Sequence, residues 1–378
     1  MFELTEDQQA VVEMVRDFAT TAIAPHAAEW DETKHFPVDV LREAGTLGMG
    51  GIYVREEFGG SGLSRTDAAL IFEELSKADP TIAAYISIHN MVVWMIDAFG
   101  NDEQRAQWVP QLASMEALGS YCLTEPGAGS DAAALSTKAV LDGDSYVLNG
   151  TKQFISGAGV SSVYVVMART ADTGSQGITA IVVPADAPGL SFGPNEKKMG
   201  WNAQPTRQVI FEDVRVPVAN RLGEEGSGFG IAMKGLNGGR VNMGACSLGG
   251  GQAALEKSIA YLKSRSAFGG PLINQQSLLF DIADMDTELE TARTLILRAA
   301  DALDRGAPDT VRLCAMAKRV ATDAGFNVAN KAIQLHGGYG YLSEYGLEKI
   351  ARDLRVHQIL EGSNEIMRLI VGRLAVGA

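Results

Sequence analysis

The chain has 378 residues, which at about 150 residues per domain allows two or three packing units. Hydrophobic residues make up 46% and charged residues 21%, enough apolar surface to offset the entropy of folding, so a disordered chain is excluded. Lys and Arg number 32 against 46 Asp and Glu; a net charge of −14 offers no basic stripe to a phosphate backbone, and nucleic acid is not an expected partner.

The start, Met1 to Asp7, is too acidic for a signal or transit peptide, and a cytoplasmic location is the expectation. Thr5 and Gln8 form a capping box, after which Val11, Val12, Met14, Val15 and Phe18 recur at helical spacing. Gly59-Gly60-Ser61-Gly62 marks a loop, and Leu70, Ile71 and Leu75 a further helix. The most apolar stretch, Ile82 to Phe99, is interrupted by Ser87, His89, Asn90 and Asp97 and reads as a buried helix, not a membrane span.

Near Gly119 the pattern turns to short Val- and Ile-rich runs. Tyr146 to Leu148, Asn149-Gly150 and Thr151 to Ile155 predict a hairpin, because Asn-Gly tolerates the positive φ of a tight turn. Val163 to Met167, Ile178 to Val183 and Gln208 to Phe211 read as further strands. Helical period returns after Gly228. Leu278, Ile282, Met285, Leu289, Ala292 and Leu295 share one face until Gly306 and Pro308, and a second long helix runs from about Asp309 to Leu335 and stops at Gly337-Gly338. The expected division is 1–118 helical, 119–228 β and 229–378 helical. This order disfavours a doubly wound nucleotide fold.

Several chemistries are missing. Cys122, Cys246 and Cys314 are far apart with no CxxC, and the five histidines include no HExxH, so no metal site is expected. No Gly-Lys pair occurs, which excludes a GxxxxGK phosphate loop, and there is no GxSxG elbow. Gly249-Gly250-Gly251-Gln252-Ala253-Ala254 fits a loose dinucleotide fingerprint but lacks the strand that should precede it.

Four segments stand out: Tyr121-Cys122-Leu123-Thr124-Glu125-Pro126-Gly127-Ala128-Gly129-Ser130-Asp131; Asn149 to Ser156; Gln334-Leu335-His336-Gly337-Gly338-Tyr339-Gly340-Tyr341; and His357 to Glu365. Their order and spacing resemble the acyl-CoA dehydrogenase flavoproteins over essentially the whole chain. Trp201 to Arg207, Leu236-Asn237-Gly238-Gly239-Arg240 and Leu360 before Glu361 make it most similar to the short branched-chain members. The resemblance implies an α+β fold: an N-terminal helical domain, a central β-barrel-like domain and a C-terminal four-helix bundle.

The implied reaction is α,β-dehydrogenation of an acyl-CoA thioester. A base removes the α-proton while the β-hydrogen leaves as hydride to the N5 of FAD. The resemblance assigns the base to Glu361, whose backbone N–H binds the thioester oxygen with a flavin ribityl hydroxyl. Leu360 and Ile359 fit an apolar slot that raises the carboxylate's pKa. Some members carry the base at the position of Gly239, where this chain has no carboxylate.

Cofactor contacts carry over to Tyr121, Leu123, Thr124, Gly129, Ser130, Phe154, Ile155 and Ser156. Phe154 stands where many relatives have Trp. Arg265, Phe268, Gln275, Gln276, Gln334, Gly337 and Gly338 match residues that hold the cofactor from a neighbouring subunit, and Ser363, Asn364 and Glu365 are expected to close over the flavin. Gln334 and His336 read equally well as helix C-cap residues. Ser130, Asn237, Gly238, Gly239, Arg240 and Arg373 match substrate-binding positions. Implied partners are an acyl-CoA, an electron-transfer flavoprotein and further copies of the chain, as a dimer of dimers, with no membrane insertion. Leu360 replaces the bulky aromatic of straight-chain members, so isobutyryl-CoA is expected ahead of 2-methylbutyryl- and butyryl-CoA. An acyl-CoA oxidase, or a flavin-loaded relative that binds nucleic acid, are the alternatives.

Overall fold

The computed structural model describes residues 4–377; Met1 to Glu3, the head of the acidic start, and Ala378 lie outside the described residues. The N-terminal region is helical: α1 (Glu6–Phe18), α2 (Ala27–Thr33), α3 (Val38–Thr46), α4 (Arg65–Ala78), α5 (Pro80–Phe99) and α6 (Asp102–Ala113). The capping box of α1 is present, with the Gln8 N–H donating to Thr5 Oγ1 and the Thr5 N–H to Gln8 Oε1. α5 starts where Asp79 accepts the Thr81 N–H at 2.7 Å ahead of Pro80, whose missing N–H costs nothing at that position. α5 is long and apolar enough to cross a membrane, yet 78% of its most apolar window is buried inside the protein. It is a core helix.

The middle region is one sheet. Strands β1 (Gly119–Cys122), β2 (Lys138–Asp142), β3 (Ser145–Ser156), β4 (Val163–Arg169), β5 (Ile178–Pro184), β6 (Leu190–Phe192), β7 (Thr206–Pro217) and β8 (Arg221–Leu222) run in the order β6-β7-β3-β2-β4-β5-β8, with β1 parallel to β4. One face of β4 and β5 packs with Tyr146, Leu148 and Phe211 in the sheet's own core, and the other with Val92 and Ile96 of α5. Burial on both faces explains why these strands read as unbroken apolar runs.

The expected hairpin at Asn149-Gly150 does not form. Those residues lie inside the continuous strand β3, at a register shift against β7 between Leu148 and Gly150. Gly150 takes φ +147°, and a Cβ there would lie 2.6 Å from Thr137 Oγ1, so this glycine serves a bulge rather than a turn. The hairpin is one step earlier: Asp142 pairs with Ser145, and Gly143 at φ +64° turns the chain.

The C-terminal region contains α7 (Gly228–Ser264), α8 (Gln276–Asp304), α9 (Thr310–His336), α10 (Leu347–Arg355) and α11 (Asn364–Val376). α7, α8 and α9 pack together, with α10 and α11 laid against α9. Gly249 to Gly251 are buried inside α7, where a Cβ on Gly249 would strike the Glu73 carbonyl of α4 at 2.1 Å. These glycines allow helices to approach; they hold no phosphate.

Candidate active site

Glu361 lies in the turn between α10 and α11 with φ +54°, followed by Gly362 at +91°. Two successive left-handed residues are costly for a glutamate and persist only where the surroundings impose them. Here they do. Arg240 of α7 donates from Nε to the Glu361 carbonyl at 3.3 Å, and Lys318 of α9 donates from Nζ to the Gly362 carbonyl at 2.9 Å. The side chain is thereby turned over α7, where a Cβ on Gly239 would lie 2.2 Å from Glu361 Oε2. A bare glycine leaves the carboxylate its room.

Burial pushes the Glu361 carboxyl up to about 7, while the charges of Arg240 and Lys318 pull the other way. Oε2 is buried without a hydrogen-bond partner, and the Glu361 N–H finds no backbone partner among the described residues. A carboxylate titrating near 7 with a free oxygen, beside an unused N–H, can take a proton and steady a nearby oxyanion. Leu360 is half-buried against the core, but Ile359 is 55% exposed and does not line the slot. In the short helical turn of Val356–Gln358 the Ile359 side chain leaves on the solvent side.

The Tyr121-to-Asp131 segment and the end of β3 meet beside β4. Thr124 O accepts the Gln153 N–H at 2.8 Å. Beneath them is a charge pair no motif announced: Lys152 donates to Glu125 Oε1 at 2.8 Å, and both side chains are almost fully buried. Glu125 also accepts the N–H groups of Ser136 and Thr137 and the Ser136 hydroxyl. Burial alone would raise its pKa, but Lys152 and these donors outweigh that and hold it at about 2. The pair cinches the loop that carries Gly127, Gly129 and Ser130.

Leu123 is buried and Thr124 half-buried, while Gly129 and Ser130 are exposed, and a Cβ on Gly127 or Gly129 would meet nothing within 4 Å. The Tyr121 hydroxyl is buried without a partner. Phe154 is 63% exposed at φ +59°, an open apolar face. Ile155, by contrast, points into the sheet core with Tyr146 and Val209, so its side chain cannot line a ring; only its backbone remains available. The Ser156 carbonyl is fixed by Ser120 Oγ, itself bonded to Ser161.

Other expected residues separate. Arg240 is 5% exposed and spends its guanidinium on Asn237 Oδ1 and the Glu361 carbonyl, so its charge is turned inward, not offered to a polyanion. Gly238 lies under the Arg65 guanidinium, which rests 3.5 Å over the Tyr53 ring. Asn364 is buried and bonds Thr322, Asp323 and Lys318 of α9; its amide closes over no open site. Ser363 is half-buried at the head of α11, Glu365 is exposed and pairs with Arg368, and Arg373 is exposed on the last turn of the helix.

Arg265, Phe268, Gln275 and Gln276 follow the far end of α7 or begin α8, and Gln334, Gly337 and Gly338 end α9. Arg265 lies over the Tyr339 ring, Phe268 is 91% exposed, and a Cβ on Gly337 or Gly338 would meet open space. The Gln334 carbonyl accepts the Gly337 N–H, and His336 stacks on Tyr261 with Nδ1 on the Ala332 carbonyl, so both help to end the helix. Along α7, 26 residues separate Gly239 from Arg265, about 39 Å at 1.5 Å per residue. The two groups do not form one site within a chain. Among the described residues no cluster could hold a metal ion.

Sequence reasoning missed Glu125, Lys152 and Lys318. A signal for Lys318 was available: it falls in helical phase with Cys314, Ala321, Gly325 and Val328, on a stripe that is otherwise apolar or small.

The three domain models of one family match in order: acyl-CoA dehydrogenase N-terminal domain over residues 5–116, middle domain over 120–214 and C-terminal domain over 226–375. The chain is 54% identical to a mitochondrial isobutyryl-CoA dehydrogenase of Bos taurus, covering 98% of this chain and 89% of that protein. It is 55% identical to the corresponding Dictyostelium discoideum enzyme, again over 98% and 89%. The structure of butyryl-CoA dehydrogenase from Megasphaera elsdenii superposes with a TM-score of 0.97 at 38% identity, covering 100% of both chains. Members of this family are FAD-dependent. The three domains, the buried glutamate over Gly239 and these likenesses agree: the chain belongs to the acyl-CoA dehydrogenase family.

Proposed function

We propose that this protein, with FAD bound, introduces an α,β double bond into a short branched-chain acyl-CoA, isobutyryl-CoA foremost. The observation that carries the reading is Glu361: a buried carboxylate raised to about 7, with one free oxygen, on a turn that also presents an unused N–H. An α-proton beside a thioester is weakly acidic, and a base whose pKa lies near the working pH is the efficient one to take it. Oε2 receives that proton, and the N–H of the same residue steadies the charge growing on the thioester oxygen. A donor so aimed is typically worth about 3 kcal/mol.

FAD, when bound, supplies the acceptor for the β-hydrogen. The chain's residues fit such a group: Phe154 and Thr124 offer an open apolar face beside a hydroxyl, the Tyr121 hydroxyl lacks a partner, and Gly127 and Gly129 leave room for backbone to approach a diphosphate. Arg265 suits a diphosphate through its planar fork. Being about 39 Å along α7 from the base, it would serve the cofactor of a second copy. Phe268, three residues beyond Arg265, and Tyr341, two beyond the Tyr339 ring under Arg265, are exposed and supply apolar surface for that copy; a dimer of dimers is the assembly we propose. An electron-transfer flavoprotein is the proposed onward acceptor. Arg373 is the exposed cation suited to the CoA phosphates.

The branched-chain preference is supported by 54% and 55% identity to two isobutyryl-CoA dehydrogenases. Anaerobic flavin bleaching with isobutyryl-, 2-methylbutyryl- and butyryl-CoA tests it. The highest kcat/KM belongs to isobutyryl-CoA, with overlap because one methyl group is worth only about 1–3 kcal/mol. A butyryl preference overturns the branched assignment, and a Glu361→Gln variant that bleaches at the parent rate overturns the mechanism.

A further inference from the structure

Lys318 touches neither the carboxylate oxygens of Glu361 nor the proposed cofactor face, yet its side chain is fully buried within α9. A lone ammonium is expensive to bury and persists there only when its hydrogen bonds are made. Its Nζ donates to the Gly362 carbonyl at 2.9 Å and to Asn364 Oδ1 at 3.0 Å. Asn364 is the first residue of α11, and its own amide group bonds Thr322 and Asp323 one turn along α9. One residue earlier, Arg240 of α7 donates to the Glu361 carbonyl. Two cations from two helices therefore grip two successive carbonyls of a turn whose residues both have left-handed φ.

We propose that Lys318 is a positioning residue for the base: with Arg240 it clamps the Glu361–Gly362 turn, keeps the carboxylate over Gly239, and favours its ionised form. The inference rests on Glu361 being the base. The clamp acts in two ways. Its hydrogen bonds impose a backbone shape that a glutamate does not adopt unaided. Its charge opposes the effect of burial on Glu361, as does that of Arg240. Burial also pushes the Lys318 ammonium down to about 8, against the pull of Glu361. The other charged or titratable groups facing it are Arg240 from α7, Asp323 from α9, Glu365 from α11 and His357 from the turn after α10. Above about pH 8 Lys318 loses its charge while Arg240 keeps its own, and the grip on the Gly362 carbonyl weakens.

The test is the pH dependence of anaerobic flavin bleaching by isobutyryl-CoA, with hydrogen–deuterium exchange of the hydrogen-bonded amides on either side of the turn, those of Ile359, Leu360 and Met367. In Lys318→Met the acid limb moves alkaline by about one unit, roughly a tenfold loss below the midpoint, and protection of the turn falls. Lys318→Arg restores both. In the parent enzyme, protection factors of these amides fall between pH 7.5 and 9.5 while those of the α7 core do not; this measurement stands even if the variants do not fold. A folded Lys318→Met variant with an unshifted limb and unchanged protection overturns the proposal, as does flat protection in the parent across that range. Either result with an inactive Glu361→Gln variant leaves the dehydrogenase reading intact; an active one removes that reading instead.

Discussion

Two glutamates of this protein are both sheltered from water, and their carboxyl groups are driven in opposite directions. Glu125 receives an ammonium, two backbone N–H groups and a hydroxyl, and is held at about 2. Glu361 has two cations nearby, but both spend hydrogen bonds on backbone carbonyls, its Oε2 has no donor, and it rises to about 7. Shelter alone does not set the proton affinity of a carboxylate. The count of donors aimed at its oxygens does. A fully satisfied carboxylate is a structural rivet, and one left wanting a partner is a base.

The largest expected effect is on the unsatisfied member. Glu361→Gln keeps the shape but cannot accept a proton, so kcat falls about 10²–10⁴-fold with flavin content unchanged. Stopped-flow bleaching measures it, and a smaller loss means another group takes the proton. Glu125→Gln acts elsewhere. It leaves Lys152 buried without its counter-charge and costs about 3–5 kcal/mol in denaturant unfolding. A stability loss under 1 kcal/mol would show the pair to be dispensable.

Gly239→Ala is smaller still. Its methyl group enters the space of Oε2 and displaces the carboxylate, so kcat drops about 10²-fold with little change in melting temperature. Equal losses of stability and rate would contradict this. The smallest effect is thermodynamic and has opposite signs at the two sites. Because Glu125 is depressed, its stabilisation is present above the unfolded carboxyl range and is lost as pH falls toward 2. Because Glu361 is raised, the folded state binds more protons than the unfolded one between about 4.5 and 7, and stability declines as pH climbs through that window. Glu361→Gln therefore stabilises the fold at pH 8 by about 1–3 kcal/mol, read from melting curves at several pH values. No gain at pH 8 would show that the burial of Glu361 carries no cost.

The same contrast marks what could be read in the sequence. The capping box of Thr5 and Gln8, the long amphipathic helix from Leu278 and the apolar strands from Val163 and Ile178 follow local rules, and local rules are visible in a string of residues. Asn149-Gly150 misled because a bulge and a tight turn both call for a residue of unusual φ, and only pairing against β7 distinguishes them. Glu361 stood out through its flanking motif, but its placement over Gly239 depends on a contact across 122 positions of chain. Glu125 and Lys152 resemble ordinary surface charges because 27 residues separate them, and nothing local says that the strands around them close over both. Ile359 shows the converse: apolar by type, it faces outward at the end of a short helical turn while Leu360 packs on the core.

α5 has a consequence for how the chain can be divided. Its first half, through Ile82 and Ile86, belongs to the core shared with α7, α8 and α9, and its second half, through Met91 and Ile96, to the core under β4 and β5. The three regions that look separable by pattern are thus threaded on one apolar rod. An N-terminal fragment ending near residue 118 would emerge with that rod stripped of partners on two sides and would aggregate. Gene dissection at the domain boundaries is expected to give insoluble pieces, and only co-expression of all three to return soluble protein.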